Sequence, residues 1–528
     1  MRNFHLPGRS TVHAMNAMVA ASHPLAALTA LDMLRAGGSA ADAAVAVSAL
    51  LGVIEPAMTG IGGDCFALYM PKGEGAIVSY NGSGRAPRAA HAEWYLERGI
   101  TRMPQTGAHA VTVPGVVDGW AKLLDDHGRL GLDVVLQPAI DAAENGYVVA
   151  PRVAHDWAFH AGKLREGINA ARYLLPRGAV PRVGDVIRQP ELAATLRKIA
   201  RHGRDAFYTG EVAEDIVATL RHAGGLHSLE DFAAHTTEVT VPISTSYRGY
   251  QVYQCPPNGP GLAMLVMLDI LQGFDLTQYD PLSAERFHIE AEAWRAAHAM
   301  REQCICDPQF SPVDLAHILS PRFAEACRLG IALDRVRDLP QVAEPVGSDT
   351  IYVSVVDRER NVCSFISSVA TPFGSAVVSD KTGVLLQSRA MGFRIEPGHP
   401  NCIAPGKRPL HTIIPCIVTR NGRAVMSYGV MGGQYQPTGQ SRVLSNIVDY
   451  GMDVQEAIDL PRGLYLDGVF QLEDSVPETV ARGLEKIGHT VSRVPNPFGG
   501  GQAIWIDPDR GTLTGGSDPR KDGCALGY

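Results

Sequence analysis

GSDTIYVSVVD, residues Gly347–Asp357, predicts a loop that leads directly into a β-strand at Thr350. From Ile351 onward, successive side chains are placed on opposite faces, because the side-chain period of a strand is two residues. The charged run Asp357–Asn361 is a predicted turn, and Val362–Ala370 is a predicted second strand that pairs back on the first. We therefore expect a β-hairpin with a threonine at the start of its first strand.

Two alanine-rich helices are predicted in the first third of the chain. Pro24–Ala36 ends at a Gly-Gly pair, and Ser39 caps the next helix, Ala40–Leu51, which is apolar almost all round and should be buried. The glycine-containing run Met58–Gly63 follows, and then a predicted strand at Cys65–Met70. The run lacks a GxGxxG pattern and a Walker lysine, so it favours a tight turn over a nucleotide site.

The bulk composition is typical of a globular protein. The chain has 528 residues, of which 45% are hydrophobic and 19% are charged, and its formal net charge is −8. That charge, with no cluster of basic and aromatic residues, argues against a nucleic-acid partner. No apolar run reaches the roughly 20 residues that span a bilayer. The nine cysteines are scattered without CxxC spacing, so we expect reduced thiols and a cytoplasmic protein.

A further predicted helix, Ala284–Glu302, carries residue types that bind metals. His288, Glu290, Glu292 and His298 lie on it, but their spacing is not that of an HExxH site. We therefore expect a solvated helix face here, and no metal site or cofactor.

Several short segments occur in an order that resembles the γ-glutamyl transpeptidase family of N-terminal-nucleophile hydrolases. The resemblance extends over about residues 18–528 and is carried by Gly60–Gly63, Ala86-Pro87, Asp349-Thr350 with Ser354–Asp357, Lys407–Pro409, Gly432-Gly433, Asp449–Gly451 with Ala457–Arg462, and Ser517–Arg520. It implies an α+β fold, a four-layer αββα sandwich. It also implies a precursor that splits into a large subunit, residues 1–349, and a small one, residues 350–528, which together form one sandwich domain.

The resemblance implies a threonine nucleophile, and the chemistry explains how one residue is sufficient. The Thr350 hydroxyl attacks the carbonyl of Asp349, and water cleaves the resulting ester. The cut frees the Thr350 α-amino group, whose reference pKa of roughly 7.7–8.0 leaves a neutral fraction that can accept the side-chain proton. Ser368 takes the place of a family hydroxyl that hydrogen-bonds the nucleophile. Gly432 and Gly433 match the pair whose N–H groups form the oxyanion hole.

Substrate recognition departs from the pattern of the family. The arginine that binds the glutamyl α-carboxylate is shifted, and Arg85 stands two residues nearer the Ala-Pro pair. The aspartate that binds the α-amino group is replaced by Gly392, and a nearby glutamine by Arg389. Two family serines are replaced by His411 and Thr412. A site that loses an aspartate and gains an arginine should favour an anion with no amine beside it.

The chain as a whole also resembles the oxamate amidohydrolases of this family, which implies hydrolysis of a small carboxylated amide, first of all oxamate, to oxalate and ammonia. Arg389 and Arg85 are the candidates for binding the carboxylate, and His411 and Thr412 are candidate substrate contacts. The expected partners are this substrate and the second fragment of the same chain, as a heterodimer or a pair of heterodimers.

Two alternatives stay open. One is a γ-glutamyl hydrolase or transferase, or an acylase of larger side-chain amides, with recognition rebuilt from other residues. The other is a non-enzymatic scaffold, which would not cleave itself.

Overall fold

A computed structural model describes residues 8–338 and 350–528. Of the two residues at the predicted cleavage site, Thr350 is therefore described and Asp349 lies outside the described residues. The strands, numbered in chain order, are β1 Val12–Ala14, β2 Met18–Ala21, β3 Asp64–Met70, β4 Val78–Gly82, β5 Tyr147–Val148, β6 Val186–Ile187, β7 Glu238–Thr240, β8 Ile243–Tyr247, β9 Tyr250–Gln254, β10 Ile351–Val356, β11 Val362–Ser368, β12 Val377–Val378, β13 Leu385–Leu386, β14 Cys416–Arg420, β15 Arg423–Met431, β16 Gly463–Leu466, β17 Val469–Leu472, β18 Val491–Arg493, β19 Gly500–Asp507, β20 Thr512–Ser517 and β21 Cys524–Gly527.

The α-helices, numbered in the same way, lie on the outer sides of these strands or connect them. They are α1 Pro24–Arg35, α2 Ala40–Ile54, α3 Ala92–Leu96, α4 Val116–His127, α5 Leu132–Asn145, α6 Pro151–Phe159, α7 Ala161–Glu166, α8 Ala170–Leu174, α9 Pro190–His202, α10 Asp205–Tyr208, α11 Glu211–His222, α12 Leu229–Ala233, α13 Gly261–Leu271, α14 Ala284–Cys304, α15 Leu315–Ile318, α16 Pro321–Leu329, α17 Gln436–Val448, α18 Val454–Asp459 and α19 Glu478–Ile487.

Two large antiparallel sheets form the centre of the molecule. The first sheet has the order β1-β20-β19-β15-β14-β9-β8, and the second has the order β21-β2-β10-β11-β3-β4-β7. Apolar side chains from both sheets, such as Phe66 and Ile504, pack together between them. The other face of the second sheet packs on α1, α2 and α4, and that of the first sheet packs on α13, α17 and α18. This arrangement is the predicted αββα sandwich, which is confirmed.

The predicted hairpin lies in the middle of the second sheet. β10 and β11 pair antiparallel, with Ile351 opposite Ser367 and Val356 opposite Val362. Alternate residues of β10 face the helical layer and the first sheet, as the two-residue period predicts. The second strand ends two residues earlier than expected, because Val369 N–H bonds to the Met58 carbonyl oxygen and Ala370 has a φ of 81°.

The helix α2 begins at the predicted cap. Ser39 Oγ accepts hydrogen bonds from the Ala41 and Asp42 N–H groups, and Asp42 Oδ2 accepts the Ser39 N–H at 2.7 Å in return. Asp42 also accepts the N–H groups of Arg129 and Leu130 from the loop after α4. All side chains of α2 are buried, so the cap and the apolar composition together position this helix under the second sheet.

The predicted solvated face of α14 is wrong. His288, Glu290 and Glu292 are almost completely buried. They have internal partners instead of water: Arg442 from α17 contacts Glu290 at 2.6 Å, and His288 Nδ1 lies 2.7 Å from His489 Nε2. Charges distributed round a helix indicate solvent exposure only when no other element supplies counter-charges.

Across residues 8–338 and 350–528, none of the helices combines the length and the apolar character that crossing a bilayer requires.

Candidate active site

Thr350 lies directly before β10, an inner strand of the second sheet, and is fully buried. Because Ile351 is opposite Ser367, continuing the register by one residue places Thr350 opposite Ser368, the last residue of β11. Ser368 is also fully buried, and its Oγ accepts the Ala370 N–H at 2.9 Å. The sheet thus brings together the predicted nucleophile and its predicted hydroxyl partner on adjacent strands.

A glutamine that the sequence analysis missed contacts the threonine. Gln436, the first residue of α17, donates from Nε2 to Thr350 Oγ1 over 3.3 Å. Its Oε1 accepts the Ile414 N–H at 3.0 Å, which fixes which end of the amide faces the threonine. The only available signal was its position, three residues after Gly433.

The glycine pair connects β15 to this helix. β15 ends at Met431, Gly432 and Gly433 have φ values of 123° and 55°, and a short 3₁₀ turn leads from Gly433 to α17. A Cβ atom on Gly432 would lie 2.7 Å from the Gly499 Cα, so a side chain does not fit there. The pair therefore lies on the same short connection as Gln436.

Arg389, His411 and Thr412 form one group. Arg389 is 2% exposed, and its Nη1 donates to Thr412 Oγ1 at 2.9 Å. Its backbone N–H bonds to the Gln387 side chain, which holds the turn Arg389–Gly392 in place. These three residues, with Ala370 and Gln434, line a cavity of about 670 Å³.

Asp64 lies beside this group and was also missed. It begins β3, is fully buried, and is paired in register with Ser368. Its Oδ2 lies 3.7 Å from Arg389 Nε and 3.4 Å from His411 Nε2. The available signal was a charged residue directly after the glycine run, at the start of an otherwise apolar strand.

Two backbone N–H groups from segments that pass close by hold the other carboxylate oxygen of Asp64. Its Oδ1 accepts the N–H groups of Gly84 and Gly115 at 3.1 and 3.2 Å. A Cβ atom on Gly84 would lie 1.6 Å from the Val113 carbonyl oxygen, so only glycine allows this approach. Burial raises the pKa of Asp64 to about 7, although the Arg389 guanidinium and the two N–H donors oppose that shift.

His411, the imidazole beside Asp64, carries no charge. Burial, with a smaller contribution from Arg389, holds the pKa of His411 well below its usual range, so this imidazole is neutral. Its Nδ1 has no hydrogen-bond partner among the described residues.

Arg85 lies apart from the cavity. Its Nη2 donates to Glu238 Oε1 at 2.9 Å, and its Nη1 donates to the Gly406 carbonyl oxygen at 3.0 Å. It is not among the residues that line the cavity. Within the described ranges, no group of three or more His, Cys, Asp or Glu side chains is arranged to hold a metal ion.

Comparison with known proteins places the chain in a family. A family model described as Gamma-glutamyltranspeptidase matches residues 26–528. The chain belongs to the gamma-glutamyltranspeptidase family. Within this family it is similar to the glutathione hydrolase-like YwrD proenzyme of Bacillus subtilis (strain 168), with 38% identity over 525 residues that cover 97% of this chain and 98% of the relative. It is also similar to the oxamate amidohydrolase proenzyme of Klebsiella pneumoniae, with 35% identity over 527 residues that cover 97% of this chain and 98% of the relative.

A solved structure extends the similarity to the whole fold. The crystal structure of cephalosporin acylase from Bacillus halodurans matches with a TM-score of 0.92 and 38% identity, covering 100% of this chain and 99% of that one. This gamma-glutamyltranspeptidase family member is therefore an autoprocessing N-terminal-nucleophile hydrolase that acts on amide bonds.

Proposed function

We propose that the enzyme cleaves itself between Asp349 and Thr350 and then hydrolyses an amide whose acyl group carries a carboxylate, with oxamate as the first candidate. The observation that carries this proposal is Arg389, a buried guanidinium that lines the cavity together with Thr412 and His411. Guanidinium groups bind carboxylates through charge-assisted hydrogen bonds, which are stronger than neutral ones.

In the proposed processing step, Thr350 Oγ1 attacks the Asp349 carbonyl carbon, and the acyl group moves from nitrogen to oxygen. Water then hydrolyses the ester, which leaves a new carboxylate on Asp349 and a free amine on Thr350. In turnover this amine accepts the Oγ proton as Oγ attacks the substrate carbonyl, and later returns it to the departing amine. Water then hydrolyses the acyl ester on Oγ, which releases the carboxylic acid and restores the Thr350 hydroxyl. Gly432 and Gly433 are the proposed donors to the oxyanion.

The proposed cut gives two fragments, residues 1–349 and 350–528, that remain associated after cleavage. β10 and β11 from the small fragment lie between β2 and β3 from the large one, within a single sheet. In the first sheet, β14 of the small fragment pairs with β9 of the large one. Separating the fragments would therefore break both sheets, which supports a stable heterodimer.

We assign binding of the substrate carboxylate to Arg389 rather than Arg85, because Arg85 forms an ion pair with Glu238 outside the cavity. Gly392, where the family pattern has an amine-binding aspartate, also lines the cavity. This combination supports an acyl group that has a carboxylate but no ammonium group.

A larger acyl group is the second candidate. The cavity of about 670 Å³ is far larger than oxamate and falls within the range of roughly 300–1,000 Å³ that is typical of drug-sized ligands. This volume favours a side-chain acylase, or a γ-glutamyl hydrolase with rebuilt recognition, over an enzyme restricted to oxamate.

The experiment compares four substrates with the processed enzyme: oxamate, glutathione, glutaryl-p-nitroanilide and γ-glutamyl-p-nitroanilide. Release of ammonia from oxamate supports the first candidate, and turnover of the glutaryl compound alone supports the second. Arg389→Gln should raise KM for either carboxylated amide by about 10- to 100-fold, the range expected for a charged hydrogen bond, whereas Arg85→Gln should change it far less. Turnover confined to the two γ-glutamyl compounds would contradict selection for an acyl group without an amine.

A further inference from the structure

We propose that Asp64 is a positioning residue that controls the affinity of the cavity for a carboxylate, by compensating the charge of Arg389 from the side away from the substrate. The proposal rests on the carboxylate-binding role proposed above for Arg389. It assigns a specificity-determining role to a residue that does not itself line the cavity.

The geometry fixes Asp64 behind the binding group. One oxygen is held by the N–H groups of Gly84 and Gly115, and the other lies 3.7 Å from Arg389 Nε and 3.4 Å from His411 Nε2. Its backbone is paired with Ser368 inside the second sheet, and the two N–H donors hold the carboxyl group in place. Asp64 thus contacts Arg389 and His411, two of the nitrogen-bearing side chains that line the cavity, without lining it itself.

The net charge of the Asp64–Arg389 pair depends on whether the Asp64 carboxyl group is protonated. With Asp64 ionised, its charge offsets that of Arg389, and this guanidinium attracts a substrate carboxylate less strongly. With Asp64 neutral, the full positive charge of Arg389 is available to the substrate. Because the charges lie only several ångströms apart, adding or removing the charge of Asp64 is enough to change the affinity for a carboxylate about tenfold.

The other groups that face Asp64 do not compensate this change. Arg408, on the segment that leads to His411, acts on Asp64 from farther away and is paired with Glu238 at 2.6 Å. The neighbouring Cys65 thiol has its pKa raised by burial and stays neutral. The remaining neighbours are the two backbone N–H groups and the neutral His411.

The pKa of about 7 places the ionisation of Asp64 near neutral pH. Below about pH 7 the Asp64 carboxyl group is neutral, and the cavity binds anions more strongly. Above about pH 7 the carboxylate forms, and anion binding weakens. The affinity for a substrate with a neutral acyl group, which does not use the charge of Arg389, should not change with pH.

The test measures KM at roughly pH 6 and pH 8 for glutaryl-p-nitroanilide and for the neutral butyryl-p-nitroanilide. For the wild type, we expect KM of the glutaryl compound to rise about tenfold with pH and KM of the butyryl compound to stay constant. Asp64→Asn keeps the shape but cannot ionise, so KM of the glutaryl compound should become low at both pH values. Asp357→Asn is the matched control, since Asp357 is a buried carboxylate at the far end of β10, and it should behave as the wild type does.

A wild-type pH response that persists in Asp64→Asn would overturn the proposal. If that variant fails to fold or process, inhibition of the wild-type enzyme by glutarate and by the neutral glutaramide provides the same test, and a glutarate Ki that is constant with pH contradicts it. Arg389→Gln separates the two proposals. If it abolishes the preference for the glutaryl compound while Asp64→Asn changes nothing, the carboxylate-binding role of Arg389 stands and that of Asp64 fails.

Discussion

Gln436 Nε2 donates a hydrogen bond to Thr350 Oγ1 over 3.3 Å, and the Ile414 N–H holds the other end of the same amide. A donor on the threonine oxygen occupies one of its lone pairs, so the hydroxyl proton must point to another acceptor. In the processed enzyme, that acceptor is the proposed α-amine on the same residue. Gln436 therefore orients the nucleophile for a reaction in which one residue supplies both oxygen and base.

Replacing Gln436 by leucine removes this donor. We expect kcat to fall about fivefold or more, since a hydrogen bond contributes roughly 1 kcal/mol, with KM little changed because the amide does not bind the acyl carboxylate. Gln440→Leu is the control: Gln440 lies one turn further along α17 and donates to the Ile414 carbonyl oxygen at 2.7 Å, away from the threonine. Equal losses of kcat in the two variants would show that Gln436 acts only through stability.

Thr350→Ala should abolish both self-cleavage and turnover, because it removes the only proposed nucleophile. Thr350→Ser keeps a hydroxyl and should retain part of each activity. A denaturing gel of freshly purified protein gives the cleavage, and ammonia release gives the turnover. Two bands from the alanine variant would mean that another group performs the cut.

Gly432→Ala tests the connection that carries the proposed oxyanion donors. The added methyl group would meet the Gly499 backbone at 2.7 Å, and the residue would need a φ of 123° that alanine rarely adopts. We expect kcat to fall by about a hundredfold or more, as for the loss of one oxyanion donor. Gly162→Ala, in α7, has nothing within 4 Å of the new Cβ and should be neutral. Unchanged kcat in Gly432→Ala would contradict the assigned role.

Asp42→Ala tests the cap of α2. The carboxylate accepts N–H groups from Ser39, Arg129 and Leu130, all of which would lose their partner in a buried position. We expect the free energy of unfolding to fall by roughly 2–4 kcal/mol, measured by denaturant titration. Asp141→Ala, which removes an exposed carboxylate from α5, is the control and should change stability little. A similar loss in both variants would contradict the role of the cap.

Local patterns predicted the elements that depend on neighbouring residues. The hairpin β10–β11 follows from a two-residue period that needs no information from elsewhere, and the start of α2 follows from Ser39 and Asp42 being three residues apart. The layer architecture came from the resemblance to a family, and the two sheets confirm it.

The contacts around Asp64 could not be predicted in this way. Asp64 is separated by hundreds of residues from Arg389 and His411, and it meets them because glycines such as Gly84 let backbones approach closely. Arg85 and Arg389 looked equally suitable from the sequence, and only the position of Glu238 shows which guanidinium is engaged elsewhere. Buried charges on α14 were misassigned for the same reason, since their counter-charges lie on distant elements.

The central claim is that the chain is cut in front of Thr350 and that the new terminal amine is the base. The most direct measurement is sequencing of the smaller fragment of the purified protein from its amino terminus. We predict that it begins Thr-Ile-Tyr-Val, corresponding to residues 350–353. A fragment that begins at any other residue, or a fully active chain that is never cut, would contradict the account.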